Sequence, residues 1–133
     1  MLNQEINTFN QELRERTFKL SVTIYNLVAD KKIPINTRSI ISQIIRSSSS
    51  VAANYRSATR ARSDAEFLAK ICIVLEECDE TEHWLEFLIS IHILSPDEAN
   101  PIQDEVNQLL RIFSTARKKL LLKRDGCGSQ KAK

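Results

Sequence analysis

The chain has 133 residues, 42% of them hydrophobic and 27% charged, which is enough to bury one core without disulfides or metal ions. Its two glycines and three prolines are too few for the many tight turns of a β-sandwich or barrel. No stretch approaches the roughly 18 apolar residues that cross a bilayer, and the first residues lack the order of a secretory signal. The composition predicts an all-α protein of the cytosol.

The first predicted helix spans about 3–32, where apolar side chains recur in alternating steps of three and four. Its inward positions are Ile6, Phe9, Leu13, Thr17, Leu20, Ile24 and Leu27. Pro34 cannot continue a helix and ends the segment.

The second predicted helix spans about 37–60 and can be capped by Asn36 or Thr37. Its run Ser47–Ser50 disfavours a helix in isolation, because hydroxyl groups compete for backbone hydrogen bonds. Either the helix breaks there, or the small side chains let another helix approach closely. The apolar register continues on both sides of the run, which favours a continuous helix.

The third predicted helix spans about 64–93 and has the clearest start. Ser63 followed by Glu66 is a capping box, in which a hydroxyl and a carboxylate satisfy free backbone amides. The core stripe that follows is Phe67, Ile71, Val74, Cys78, Thr81, Leu85, Leu88 and His92. A stripe of about seven turns is long enough for a helix bundle.

The fourth predicted helix spans about 96–123 and has Ser95 as its cap; either Pro96 or Pro101 can be its first residue. Its stripe is Ile102, Val106, Leu109, Phe113, Ala116 and Leu120. Residues 125–133 are polar and are predicted to form a disordered basic tail. Because short connections make consecutive helices antiparallel, we predict that residues 1–124 form an all-α, antiparallel up-down-up-down four-helix bundle.

Charge is segregated along the chain, although the net charge is only +2. Residues 33–63 hold five arginines and no acid, whereas residues 64–92 hold eight acids and one lysine. Residues 117–133 hold seven bases and one acid. Such blocks say more about binding partners than the net charge does.

Several segments carry a family resemblance: Gln43–Ser47, Ser50–Arg56, Ala61, Ser63, Phe67 and Leu75–Glu86. They resemble a bacterial four-helix-bundle family named after proteins encoded in intervening sequences of 23S ribosomal RNA genes. That family is similar to the accessory bundle proteins of diversity-generating retroelements. The resemblance covers roughly Phe18–Leu122. Ser48 and Ala52 stand where the family pattern has glycine, and Ser57 where it has an acid.

The resemblance implies a homo-oligomeric ring, with five subunits expected, and no catalytic residues. Through the accessory proteins it also implies RNA, DNA or a nucleic-acid enzyme as a partner. For the intervening-sequence branch the resemblance implies no particular molecular function.

The sequence on its own predicts no enzyme. Glu80 and His83 have the spacing of half a di-iron site, but the other histidine, His92, has Ile89 where a glutamate is required. Cys78 lies on the core stripe and is predicted to be a small buried apolar residue. The three cysteines lack CxxC spacing, which predicts neither a zinc site nor a disulfide framework. We therefore expect no catalytic residue, metal, cofactor, small-molecule substrate or membrane contact.

The arginines of the second helix have two interpretations. They can form a phosphate-binding stripe, or they can pair with the acidic third helix folded back against them. Antiparallel pairing brings Arg56 near Glu66, and brings Arg46 near Glu76 or Glu80. We favour pairing for Arg46 and Arg56, because such contacts fix the register of the two helices.

The basic end of the fourth helix is the stronger candidate for nucleic acid. One or two cations would offset the helix dipole, and this segment holds more. The candidate phosphate-binding residues are Arg60, Arg62, Arg117, Lys118, Lys119, Lys123 and Arg124. The alternative is a purely protein-binding structural module, in which the charge blocks only satisfy one another.

Apolar residues beside the core stripes predict self-association. On the third helix these are Ile73, Trp84, Phe87 and Ile91, and on the fourth Leu110, Ile112, Leu121 and Leu122. A single core requires an apolar face of roughly 100°, and these faces are wider. Either the bundle is irregular and Trp84 covers its end, or the third-helix cluster is an intersubunit surface. We favour the second interpretation, with Trp84 as the anchor.

Overall fold

The computed structural model describes the backbone of residues 2–132 and the side chains of residues 4–125. It contains four long helices: α1 (Leu2–Ala29), α2 (Arg38–Ala58), α3 (Asp64–Ser90) and α4 (Pro96–Ala132). A short 3-10 helix, Ile35–Thr37, precedes α2. No strand occurs in the part of the chain that the structure describes, which confirms the all-α prediction.

The four helices pack in chain order around one core. Helix α2 packs against both α1 and α3, α3 packs against α4, and α1 approaches α4 less closely. Helices α1 and α3 make no close backbone approach within the described residues, and neither do α2 and α4, so these pairs are diagonal. This arrangement confirms the antiparallel up-down-up-down bundle.

The predicted stripes supply most of the core. Its largest fully buried side chains are Tyr55, Phe113, Ile24, Ile44, Ile71, Leu85, Leu88, Leu94, Leu109, Val51, Val74 and Val106. The prediction is wrong for Ile6 and Phe9, which are about half exposed. Phe9 instead lines an open groove of about 430 Å³ with Leu13 and Phe113, where α1 and α4 do not close on each other.

The serine run of α2 is continuous helix, as its flanking register predicts. Ser47 and Ser48 are buried, and the hydroxyl oxygens of Ser47 and Thr81 lie 2.9 Å apart between α2 and α3. Side chains this small let the two helices approach closely, while each buried hydroxyl group keeps a hydrogen bond. The small side chains therefore serve helix contact.

Both predicted serine caps are present. The amide of Glu98 donates to Ser95 Oγ, and the amide of Ser95 donates to the Glu98 carboxylate, which completes a capping box. Helix α4 therefore starts at Pro96, and Pro101 lies inside it. Ser63 Oγ accepts from the amide of Glu66, whose carboxylate accepts from the amide of Arg62 rather than from that of Ser63.

Helix α3 ends at Ser90, before the predicted end at 93, in a hydrogen-bonded reversal. The amide of Ile93 donates to the carbonyl of Leu88, and the amide of His92 to that of Ile89. These bonds define a Schellman motif, which requires left-handed backbone at the residue after the cap. His92 supplies it with φ of 64° and therefore cannot extend the α3 stripe.

Helix α4 extends to Ala132, past the predicted end near 123. The side chains of residues 126–133 lie outside the described residues, and Cys127 is among them. The predicted disordered basic tail at 125–133 stays a prediction.

Candidate functional site

Arg46 joins α2 to α3 through two carboxylates. Its guanidinium lies 2.6 Å from Glu80 and 3.2 Å from Glu77. The hydrogen bond from Arg46 lowers the pKa of the Glu80 carboxyl, which also accepts from Trp84 Nε1 at 3.2 Å. The antiparallel register suggests Glu76 or Glu80 as the partner of Arg46, and Glu80 is the one of these two that pairs with it.

The other suggested ion pairs are not among those of the described residues. Arg56 lies ten residues after Arg46, which turns it about 80° around α2 and toward α1. The carboxylate of Glu66, its predicted partner, accepts a hydrogen bond from the backbone amide of Arg62 instead. Glu76 is exposed, and its neighbour Glu77 faces Arg46.

The candidate phosphate-binding residues converge at one end of the bundle. Arg60 and Arg62 lie in the turn between α2 and α3, and the antiparallel topology brings the last turns of α4 to the same end. Lys123 Nζ lies 2.7 Å from the Asp64 carboxylate, which joins α4 to the first residue of α3. Two basic segments that are far apart in sequence therefore share one surface.

Bases within the described part of α4 surround the helix at this end. Arg117, Lys118 and Lys119 are exposed, and consecutive residues point about 100° apart around a helix. Arg124 is exposed and lies 3.9 Å from Asp125. We call the surface formed by Arg60, Arg62, Arg117, Lys118, Lys119, Lys123 and Arg124 the basic end.

The predicted apolar cluster of α3 lies on the outer face of that helix. Ile73, Phe87 and Ile91 are each a little more than one-third exposed, and Trp84 is half-buried against the core. The Trp84 ring makes edge contacts with His83 at 4.7 Å and with Phe87 at 5.9 Å, measured between ring centroids. We call these four apolar residues the α3 ridge.

A second exposed apolar stripe lies on α1 and was not predicted from the sequence. Phe18, Val22 and Tyr25 recur at steps of four and three, and Phe18 is 65% exposed. Their spacing is that of any helical stripe, so it could have been found by asking for a second stripe beside the core positions.

Phe18 borders a groove of about 860 Å³ between α1 and α2. The floor of the groove is made of small side chains on α2, which include Ser49, Ala52 and Ala53. Three arginines lie at its edges: Arg14 on α1, Arg56 on α2 and Arg60 in the turn after α2. We call this feature the α1–α2 groove.

The side chains that could be reactive or bind a metal ion are either buried or engaged by neighbouring side chains. Burial raises the pKa of the Cys78 thiol to about 12, which keeps it protonated and unreactive. Glu80 of the Glu80–His83 pair is bound by Arg46 and Trp84. No group of three or more potential metal-binding side chains occurs among residues 4–125. Among the described helices, none has the length and hydropathy of a membrane-crossing segment.

The fold defines an all-α four-helix-bundle protein with one basic end and two apolar outer surfaces. The family model of the 23S rRNA-intervening sequence proteins matches residues 10–115, and the chain belongs to this family. A crystal structure from Bacteroides thetaiotaomicron is similar, and its protein is described as of unknown function and of the S23 ribosomal protein family. It is 30% identical with a TM-score of 0.71, over 80% of this chain and 98% of that chain. No curated protein matches this chain.

Proposed function

We propose that this protein is a non-enzymatic, homo-oligomeric accessory protein that binds RNA or DNA phosphates through its basic end. One observation carries the proposal: Arg60 and Arg62 of the α2–α3 turn share one end of the bundle with the bases of α4. A phosphate backbone requires several cations on one surface, because each contact releases counterions and adds to the affinity.

Self-association would strengthen this binding. In an oligomer each copy adds a basic end, and linked sites on one polymer bind far more tightly than a single site. The exposed residues of the α3 ridge are apolar surface that a further copy would remove from water. The family resemblance sets the expected number of copies at five.

A non-enzymatic role is supported by the state of the groups that could react. Cys78 is buried with a raised pKa, and Glu80 is engaged by Arg46 and Trp84. The chemistry left to the exposed surface is charge recognition and apolar contact.

Binding of a fluorescent single-stranded RNA, titrated against salt, tests the basic end. The double variant Lys118→Gln/Lys119→Gln removes two exposed charges there. We expect weaker binding and a salt slope that falls by about 0.7 for each lost phosphate contact. The matched control is Lys32→Gln/Arg38→Gln, which removes two exposed charges at the opposite end of the bundle and should bind like the unmodified protein.

Absence of RNA binding at low salt, or equal losses in the two double variants, would contradict a role for the basic end. That result would favour the purely protein-binding structural module. The ion pairs of Lys123 with Asp64 and of Arg46 with Glu77 and Glu80 agree with this second candidate, because they satisfy charge within the chain.

A further inference from the structure

An apolar groove opens between α1 and α4 at the end of the bundle that carries the basic end. Farther from that end, two ion pairs hold α1 and the turn after it against α4: Arg16 with Glu105 and Lys31 with Glu98. Between Arg16 and the start of α1 the two helices leave a groove of about 430 Å³, which Phe9 lines. We call this feature the α1–α4 groove.

The interior of the α1–α4 groove is apolar and contains aromatic rings. Its floor includes Tyr55 and Phe113, whose ring centroids lie 5.2 Å apart in the core. Its sides include Phe9, which is 52% exposed, and Phe67, which is half-buried. A groove of this volume with a mainly apolar lining is typical of a site that accepts one small group.

One hydrogen-bond donor in the lining is held in place and unused. The Tyr55 hydroxyl donates to Asn10 Oδ1 at 3.0 Å, and burial raises the pKa of Tyr55 to about 12, so the hydroxyl keeps its proton. Asn10 Nδ2 makes no hydrogen bond within the described residues. Nucleobases present ring nitrogens and carbonyl oxygens at their edges, and an amide donor can bind such an acceptor.

Cations edge the same groove. Arg111 and Lys119 line it from α4, and both are exposed and make no ion pair within the described residues. The described residues that line the groove include no acid, and Glu5 and Glu12 line a separate depression that shares Phe9. Because Lys119 also belongs to the basic end, a strand whose phosphates contact Lys119 passes the mouth of the groove.

This combination of bases and aromatic rings is made by packing. Residues 114–125 hold the bases of α4 and no aromatic residue, whereas the rings of the groove sides come from α1 and α3. Proteins that bind single strands combine a basic track for the phosphates with aromatic side chains on which bases stack. In a duplex the bases stay stacked on one another, and one must leave the stack before it can enter a groove.

We infer that the α1–α4 groove accepts one unpaired base of a single-stranded nucleic acid, which stacks on Phe9 while Arg111 and Lys119 bind the neighbouring phosphates. This inference rests on the proposed function and names the class of nucleic acid that the basic end prefers. The apolar interior removes the face of the base from water, and Asn10 Nδ2 donates to its edge. A duplex offers the basic end its phosphates only.

Binding of a fluorescent single-stranded oligouridylate, compared with an RNA duplex that has the same number of phosphates, tests the groove. Phe9→Ala should weaken single-strand binding by about fivefold or more, the lower end for one stacked base. Duplex binding and the salt slope should stay unchanged, because no phosphate contact is lost. Phe9→Tyr keeps the ring and should bind like the unmodified protein. The matched control is Tyr25→Ala, since Tyr25 is 55% exposed on α1 near its other end.

A second variant blocks the groove and leaves Phe9 in place. Ala116 lines the groove from α4 and is half-buried, so Ala116→Leu fills part of the space that a base would occupy. It should also weaken single-strand binding and leave duplex binding unchanged. Circular dichroism checks that each variant keeps the helicity of the unmodified protein.

The outcomes separate this inference from the proposed function. If Phe9→Ala binds the single strand like the unmodified protein, the groove holds no base, although RNA binding by the basic end stands. If Phe9→Ala weakens single-strand and duplex binding equally, the loss does not come from stacking and the inference is wrong. If the unmodified protein binds neither RNA at low salt, both the inference and the proposed RNA binding are wrong.

Two further measurements identify other occupants of the groove. If Phe9→Ala lowers the mass of the protein in light scattering, a second copy covers the groove and the inference is wrong. The inference is also wrong if dodecanoate raises the melting temperature of the unmodified protein but not of Phe9→Ala, while both bind RNA equally. That result would assign the groove to an acyl chain.

Discussion

At the scale of single residues, Glu98 connects the start of α4 to the end of α1. Its carboxylate accepts hydrogen bonds from the amide and hydroxyl of Ser95 and pairs with Lys31. The Lys31 ammonium and the Ser95 amide lower the pKa of Glu98 to about 2. One carboxylate therefore serves as a helix cap and as a link across the bundle where α1 and α4 meet.

This pKa predicts how stability depends on pH. A carboxyl whose pKa is depressed in the folded state stabilises the fold above its unfolded pKa, and that contribution is lost as pH falls toward the folded value. We expect the free energy of unfolding to decline between about pH 4.5 and pH 2, and Glu98→Gln to flatten that part of the profile. Urea titrations at a series of pH values measure it, with Asp97→Gln as the neighbouring control. Parallel declines in both variants would show that Glu98 is not the titrating group.

At the scale of the helices, core stripes and caps are well predicted from the sequence because each depends on local spacing. The continuous helix through Ser47 follows from the apolar register. The start of α4 at Pro96 was one of two alternatives, because local spacing did not decide between Pro96 and Pro101. The position of Arg56 does not follow from local spacing, because a rotation of about 80° around α2 decides whether it meets α3 or α1. That rotation is set by how the helices pack.

The end of α3 shows a second limit of the sequence. The three-four spacing continues through His92, and no glycine marks the stop. The stop becomes visible only in the backbone, where His92 is left-handed and the amides of His92 and Ile93 close the motif.

Replacing His92 by glycine should stabilise the bundle. Left-handed backbone costs a residue with a side chain roughly 1 kcal/mol, and glycine adopts it without that cost. Because glycine also gains freedom in the unfolded chain, we expect a net increase of about 0.5 kcal/mol in the free energy of unfolding. Urea denaturation measures the change. Ser90→Gly, at the last residue of α3 where the backbone is still helical, is the control and should be destabilising by up to about 1 kcal/mol. Equal effects in the two variants would contradict the strained cap.

At the scale of the whole molecule, the bundle brings together features that the sequence keeps apart. The prediction of a basic surface depended on counting charges, whereas the placement of Arg62 at the same end of the bundle as the last turns of α4 depends on antiparallel topology. The α3 ridge could be predicted because its residues lie beside a strong core stripe. The α1–α2 groove could not, since Phe18 and Arg56 come from different helices and meet only through packing.

The two kinds of surface should respond differently to salt. Binding of phosphates by exposed cations weakens steeply as salt rises, because the counterions released on binding gain less entropy when they enter a more concentrated salt solution. Contact between apolar surfaces does not weaken in this way. An oligomer held by apolar contact and bound to RNA by charge should therefore lose the RNA first.

Light scattering of the protein with a defined single-stranded RNA, at about 50 mM and then about 300 mM salt, tests this account most directly. We predict a complex that contains several protein chains and RNA at low salt. At high salt we predict the same number of protein chains without RNA. A single protein chain that carries no RNA under both conditions would contradict the account.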